Sequence, residues 1–166
     1  MSAAERAQRS REQGGTPAVR LVAEHRRARF DYRVEEKVEA GLQLQGSEVK
    51  SLRAGTVTLS DAYALPDRSG ELYLHNAHIG PYGAATAFGH DPLRPRKLLM
   101  HRAEIDRWSS KVRERGYSII PLSIYFKGGK AKVELGLCTG KTHEDRRGDI
   151  KERETKREMD RAIRRR

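Results

Sequence analysis

Cysteine is almost missing from this chain. Cys138 stands alone in 166 residues, which excludes an internal disulfide framework and a cysteine-rich zinc site. Hydrophobic residues reach only 36% and aromatics 6%, so a core forms only if part of the chain stays outside it. No run approaches the roughly 20 apolar residues that span a bilayer. The first residues lack the apolar segment of a secretory signal, so the cytoplasm is the expected location, with no membrane partner. A Walker loop, G-x-S-x-G and H-E-x-x-H are all absent. His75 and His78 with Asp91 come nearest to a metal or nuclease set, but no paired cysteine or carboxylate cluster accompanies them. The expectation is a protein that is not an enzyme, with no metal and no cofactor. Acidic residues are also in deficit: 23 Asp and Glu face 34 Lys and Arg, for a net charge of +11. Such a surplus favours a polyanionic partner.

What is present falls into three stretches: a flexible arm over 1–20, a domain over 21–139 and a basic tail over 140–166. The arm is small, charged and without apolar period. From Phe30 to Leu44, alternation through Tyr32, Val34, Val38, Ala40 and Leu42 predicts a strand, with Gly41 as its bulge. Ser47 to Arg53 predicts a short helix ended by Gly55. Extended runs follow through Leu65 and, after the turn at 66–70, from Glu71 to Ile79. Gly80 to Pro95 predicts a long loop. Ile105, Trp108 and Val112 recur at helical spacing, and Gly116 stops that helix. Ile120 to Phe126 and Val133 to Leu137 alternate around Gly128-Gly129, a hairpin in which Pro121 marks an edge or a bulge and Cys138 is an apolar filler. The pattern is mainly β with flanking α, and it suggests a small OB-like barrel.

The tail has little apolar content. It carries eleven basic and seven acidic residues, a net +4, with Asp149–Arg153, Glu152–Lys156 and Asp160–Arg164 at i, i+4. It is expected to be disordered when free and helical once a polyanion neutralises it. Basic side chains also gather elsewhere. His25, Arg26, Arg27 and Arg29 precede the first strand, and Lys50 and Arg53 ride the short helix. Arg94, Arg96 and Lys97 lead toward the second helix, while Lys127, Lys130 and Lys132 mark the hairpin. Cations at strand ends and loops suit phosphate contact, which positions RNA without reading its sequence. A generic ribosomal or ribosome-assembly protein shares these features.

Several of these segments resemble one family. Arg27-Ala28-Arg29-Phe30-Asp31-Tyr32, Glu39-Ala40-Gly41, the block Gly46 to Gly55 (GSEVKSLRAG), Asp91 to Leu99 (DPLRPRKLL) and Asp149 to Glu154 (DIKERE) are similar to small protein B, the tmRNA-binding family of bacterial trans-translation. The likeness runs from about His25 to the C-terminus. It implies a six-stranded OB-like barrel with about three helices and a basic C-terminal tail. It also implies binding to the tRNA-like domain of tmRNA, support for its alanylation, indirect association with elongation factor Tu, and delivery to stalled ribosomes. The tail is then expected to enter the empty mRNA channel against small-subunit rRNA. The resemblance assigns tmRNA binding to Glu39 and Leu99, and the decoding-centre motif to Asp145, Arg146 and Arg147, with His143, Ile150 and Lys151 beside it. Two positions depart: the family often has Asn where His25 stands, and an aromatic or His where Glu144 stands. A carboxylate cannot stack on a base, so His143 is the candidate for that role.

Overall fold

The computed structural model describes residues 17–83 and 89–164. The arm expected over 1–20 lies outside them as far as residue 16. In chain order the elements are β1 (Val19–Glu24), α1 (Ala28–Asp31), β2 (Tyr32–Leu42), α2 (Gly46–Arg53), β3 (Val57–Thr58), β4 (Tyr63–Pro66), β5 (Leu72–His75), β6 (His78–Ile79), β7 (Arg96–Leu99), α3 (Arg102–Arg115), β8 (Ser118–Lys127), β9 (Lys130–Gly140) and α4 (His143–Arg164).

Six strands close into a ring. β8, β4, β5, β7, β2 and β9 are hydrogen-bonded in that order, and β9 returns to β8. Closure leaves these strands no free edge, which is how small β-proteins avoid edge-to-edge association. β1 joins as a seventh strand because β8 is long: its Ser123–Lys127 half takes β1, while Ile119 takes β4. β3 and β6 form a separate pair. The architecture is the expected mainly β, barrel-like one, with four helices among the described residues rather than about three.

The inner core gathers Leu72, Leu74, Leu98, Ile124, Val133, Leu135 and Leu137, with Ile105 and Trp108 of α3 packed onto them. A second, smaller cluster of Ala28, Ile120, Leu122 and Cys138 lies under α1. The hairpin alternation expected to place Ile120, Leu122, Ile124 and Phe126 on one face is therefore split in two. The reason is a bulge: Pro121 opposes Leu135 and Ser123 opposes Glu134, so Leu122 is an extra residue that reverses the strand's facing. That is the irregularity Pro121 signals. Gly128 (φ +57°) and Gly129 (φ +76°) supply the left-handed turn.

Other local expectations need correction. The strand begins at Tyr32 and not Phe30, because α1 occupies Ala28–Asp31. Gly41 is not a bulge: it stays in register between Leu99 and Lys132, and the β2 irregularity falls between Val34 and Glu36. Gly41 is needed instead for close approach, since a Cβ there would meet the Leu99 Cβ at 3.2 Å. The run from Glu71 to Ile79 is broken by Asn76, at φ 55°, into β5 and β6. Cys138 is fully buried in β9, as expected for an apolar filler. The stretch from Gly80 to Pro95 holds no helix or strand among its described residues.

Candidate nucleic-acid interface

β2 carries chemistry at both ends, separated by about 30 Å of extended chain. At its C-terminal end Glu39 points outward, and three side chains of the β8–β9 hairpin converge on it. Tyr125 donates its hydroxyl to Glu39 Oε2 at 2.5 Å, Lys127 Nζ lies 3.1 Å from the same oxygen, and Lys132 Nζ lies 4.0 Å from Oε1. The Tyr125 hydrogen bond, helped by Lys127 and Lys132, holds the Glu39 carboxyl below the usual carboxylate range. Burial and the neighbouring Glu39 push the Tyr125 phenol upward. The carboxylate is thus ionised and oriented, ready to accept from a base amino group or a ribose hydroxyl.

Beside it lies a partly apolar groove of about 390 Å³ whose lining includes Gly41, Leu44, Val49, Leu99, Phe126 and Lys132. Leu99 is 52% exposed although it sits in a strand of the ring. Arg53 reaches the same end, its guanidinium 5.8 Å from the Phe126 ring centre. Lys50 lies over the Tyr82 ring at 5.6 Å. Lys97 shares a neighbouring groove with Leu99 and pairs with Glu71 at 3.2 Å. The fold therefore brings Glu39, Leu99 and Lys132 together, with Arg53 and Lys97 close by. Sequence reasoning passed over Tyr125, whose alternation in β8 was visible but whose partner sits 86 residues away.

Arg96 is placed elsewhere, and its expected phosphate contact is corrected. The side chain is fully buried, donates to Glu48 Oε1 at 2.8 Å and to the carbonyls of Ala77 and Pro92, and offers nothing to a ligand. Glu48 is equally buried and also accepts two bonds from Arg94, at 3.2 and 2.7 Å. A buried carboxylate needs such partners because its desolvation is costly. Arg94 keeps a third of its side chain exposed, but its fork is already engaged. The motif E-V-K-S-L-R-A-G therefore opens with a structural anchor that ties α2 to the β7 entry.

His25 is also mostly buried, with Nδ1 at 3.2 Å from the Pro121 carbonyl, while Arg26 and Arg27 beside it are exposed. At the N-terminal end of β2 stands α4. It runs 22 residues with none buried. His143, Arg147 and Lys151 are exposed and Ile150 is 44% exposed, while Arg146 is half-buried. Asp145 serves the helix itself: it accepts from the Thr142 hydroxyl at 2.8 Å and from the Thr142 N–H at 3.1 Å. Those two bonds hold its carboxyl below the usual range. Arg33 adds an ion pair to it at 3.5 Å. Asp149 pairs with Lys141, while Arg153 lies over the Phe30 ring at 5.7 Å.

Among the described residues no three His, Cys, Asp or Glu side chains gather as a metal site. His75 stacks on Tyr63 with ring centres 5.3 Å apart, and His78 is exposed on β6. No helix among the described residues is long and apolar enough to cross a membrane.

A family profile described as SmpB protein matches residues 22–165. The SsrA-binding protein of Myxococcus xanthus is 74% identical over 92% of this chain and 94% of its own length. That of Symbiobacterium thermophilum is 57% identical over 88% of this chain and 92% of its own. Among solved structures, one described as "tmRNA-SmpB: a journey to the center of the bacterial ribosome" contains a chain 48% identical to this one. The two superpose with a TM-score of 0.63, covering 74% of this chain and 86% of that one. With the profile spanning nearly the whole domain and tail, the chain belongs to the SmpB protein family.

Proposed function

We propose that this protein binds the tRNA-like domain of tmRNA and delivers it to stalled ribosomes for trans-translation. The observation that carries it is the Glu39 site: an oriented carboxylate beside exposed Leu99 and Lys132, on a barrel 48% identical to a chain described with tmRNA and the bacterial ribosome. The names of the relatives, SsrA-binding protein, support the same partner. Lys50, Arg53, Lys97 and Lys132 supply phosphate contacts around it, and Arg26 and Arg27 add others beside His25; such contacts position an RNA without reading its sequence. The protein acts by binding in the cytoplasm, and not by turnover.

The tail carries the second half of the function. α4 places exposed His143, Arg147 and Lys151 on a helix with no buried residue, which suits ordering against small-subunit rRNA. There it senses the empty mRNA channel and decoding centre, its helix consolidated by the phosphates it meets. Elongation factor Tu takes part indirectly, through the aminoacylated RNA.

Sequencing the RNA that co-purifies with the tagged protein tests the proposal. One tmRNA species, enriched far above rRNA, is expected. Bulk rRNA without it would favour a ribosome-assembly protein instead.

A further inference from the structure

Strand register places one residue from each of five strands in a single transverse row on the outside of the barrel. Leu21 of β1 opposes Tyr125 of β8, and Tyr125 opposes Lys132 of β9. Lys132 in turn opposes Gly41 of β2, and Gly41 opposes Leu99 of β7. Residues paired directly across strands project from the same face of a sheet. The row therefore crosses the Glu39 site, since Tyr125 and Lys132 are two of the partners of that carboxylate. An exposed leucine stands at each end: Leu99 is 52% and Leu21 is 59% exposed. Val19, two residues before Leu21, is 58% exposed and opposes Lys127. Among the described residues outside α4, Leu21 and Val19 are the most exposed large apolar side chains. The residues of β1 that pack on the core are Val22 and Ala23, so core packing does not account for the other two.

We propose that Leu21, with Val19 beside it, is a second apolar contact for RNA, packing an unpaired base at the opposite end of the row from Leu99. This assignment rests on the tRNA-like domain of tmRNA being the partner. Two features favour RNA over a protein as the occupant. The patch is continuous with the Glu39 site, because Tyr125 is both the cross-strand partner of Leu21 and the donor to Glu39. Cations also rim it: Lys127 opposes Val19, and Lys130 opposes Lys127 on the next strand. Phosphate contacts alongside an apolar strip suit a nucleotide chain whose bases are turned out of the stack. Leucine is a side chain that packs against a base face left bare by unstacking. Neighbouring strands lie about 4.7–4.9 Å apart, so four steps put the two leucines roughly 19 Å apart along the curved sheet. That is several times the step of about 3.4 Å between stacked bases, so the two leucines meet different nucleotides. A regular duplex keeps its bases stacked and offers neither contact.

Photo-crosslinking on the full-length protein tests this. A photoreactive amino acid replaces Leu21, Leu99 or, as a control, Leu65, which is 42% exposed on β4 and outside the row. Binding of the wild type to the tRNA-like fragment of tmRNA is measured first, and each variant is then irradiated with that fragment. Positions 21 and 99 should give RNA adducts at different unpaired nucleotides, and position 65 only background. L21A should weaken binding about five- to tenfold through lost apolar contact. The slope of log K against log salt should not change, because no charge is removed. Combining L21A with L99A should multiply the two losses, since contacts this far apart act independently. Background adducts at position 21, a cross-link from it to protein in place of RNA, or wild-type affinity in L21A overturns the proposal. With the fragment bound to the wild type, such a result leaves tmRNA recognition standing; a wild type that fails to bind the fragment overturns both. Leu21 lies outside the core, and the adducts decide the matter independently of any effect of L21A on folding.

Discussion

Tyr125 of β8 and Glu39 of β2 are joined at 2.5 Å by a hydrogen bond that spans β9, and the two residues together form an ionised acceptor on the outer face of the barrel. The bond fixes one carboxylate oxygen and leaves the other to Lys127 and Lys132. Glu39→Gln should weaken binding of a tmRNA tRNA-like fragment by about 1.5–3 kcal/mol, the range for a hydrogen bond to a charged group. Tyr125→Phe should cost less, since both lysines still hold the carboxylate. Titration of the fragment measures both, and wild-type affinity in both variants would remove Glu39 from the interface.

Neighbours in sequence, Arg96 and Lys97 should respond in opposite ways. Arg96→Ala leaves the Glu48 carboxylate without its innermost partner and should cost about 3–5 kcal/mol of stability. Lys97→Ala removes one partly exposed pair with Glu71 and should change stability by about 0–1 kcal/mol. Its effect should appear instead in the salt dependence of RNA binding, lowering the slope of log K against log salt by about 0.7–0.9. Thermal melts and salt titrations on the two variants check the split.

Acid should expose the Glu48 anchor. Burial alone raises its carboxyl, but Arg94, the Gln45 N–H and Arg96 outweigh that and hold it below the usual carboxylate range. A native value below the unfolded one means that folding releases protons. The contribution is therefore complete above about pH 4.3, the unfolded value, and is lost as pH falls through the lower native value. Denaturant midpoints measured from pH 7 to 3 should drop in that window for the wild type. Glu48→Gln should be less stable at neutral pH and should lack that part of the drop.

Removing everything after Gly140 should leave the melting transition nearly unchanged, because α4 has no buried residue and its pair with Arg33 is exposed. Affinity for the tRNA-like fragment should persist, while tagging of stalled chains on ribosomes should fail. Met159→Pro in the intact chain should also impair tagging, since proline costs about 3 kcal/mol in a helix interior. Tagging at wild-type levels by the truncated protein would reduce the tail to a solvated end.

Local chemistry alone determined much of this protein. The Gly128-Gly129 turn, the caps at Gly55 and Gly116, and the α3 stripe of Ile105 and Trp108 were legible because each depends on neighbours within a few residues. The family likeness, carried by contiguous blocks, was legible for the same reason. Tertiary structure decided what spacing cannot encode. It buried Arg96 beside Glu48, 48 residues away, although a run of cations reads as a surface. It split one hydrophobic row of β8 between two clusters through a single extra residue at Leu122. It set Tyr125 against Glu39 and Arg33 against Asp145, pairs that exist only because closing the ring brings distant strands and the tail into register. A side chain's charge is written in the sequence, but whether that charge meets water, a carboxylate or RNA is settled by which strand lies beside it.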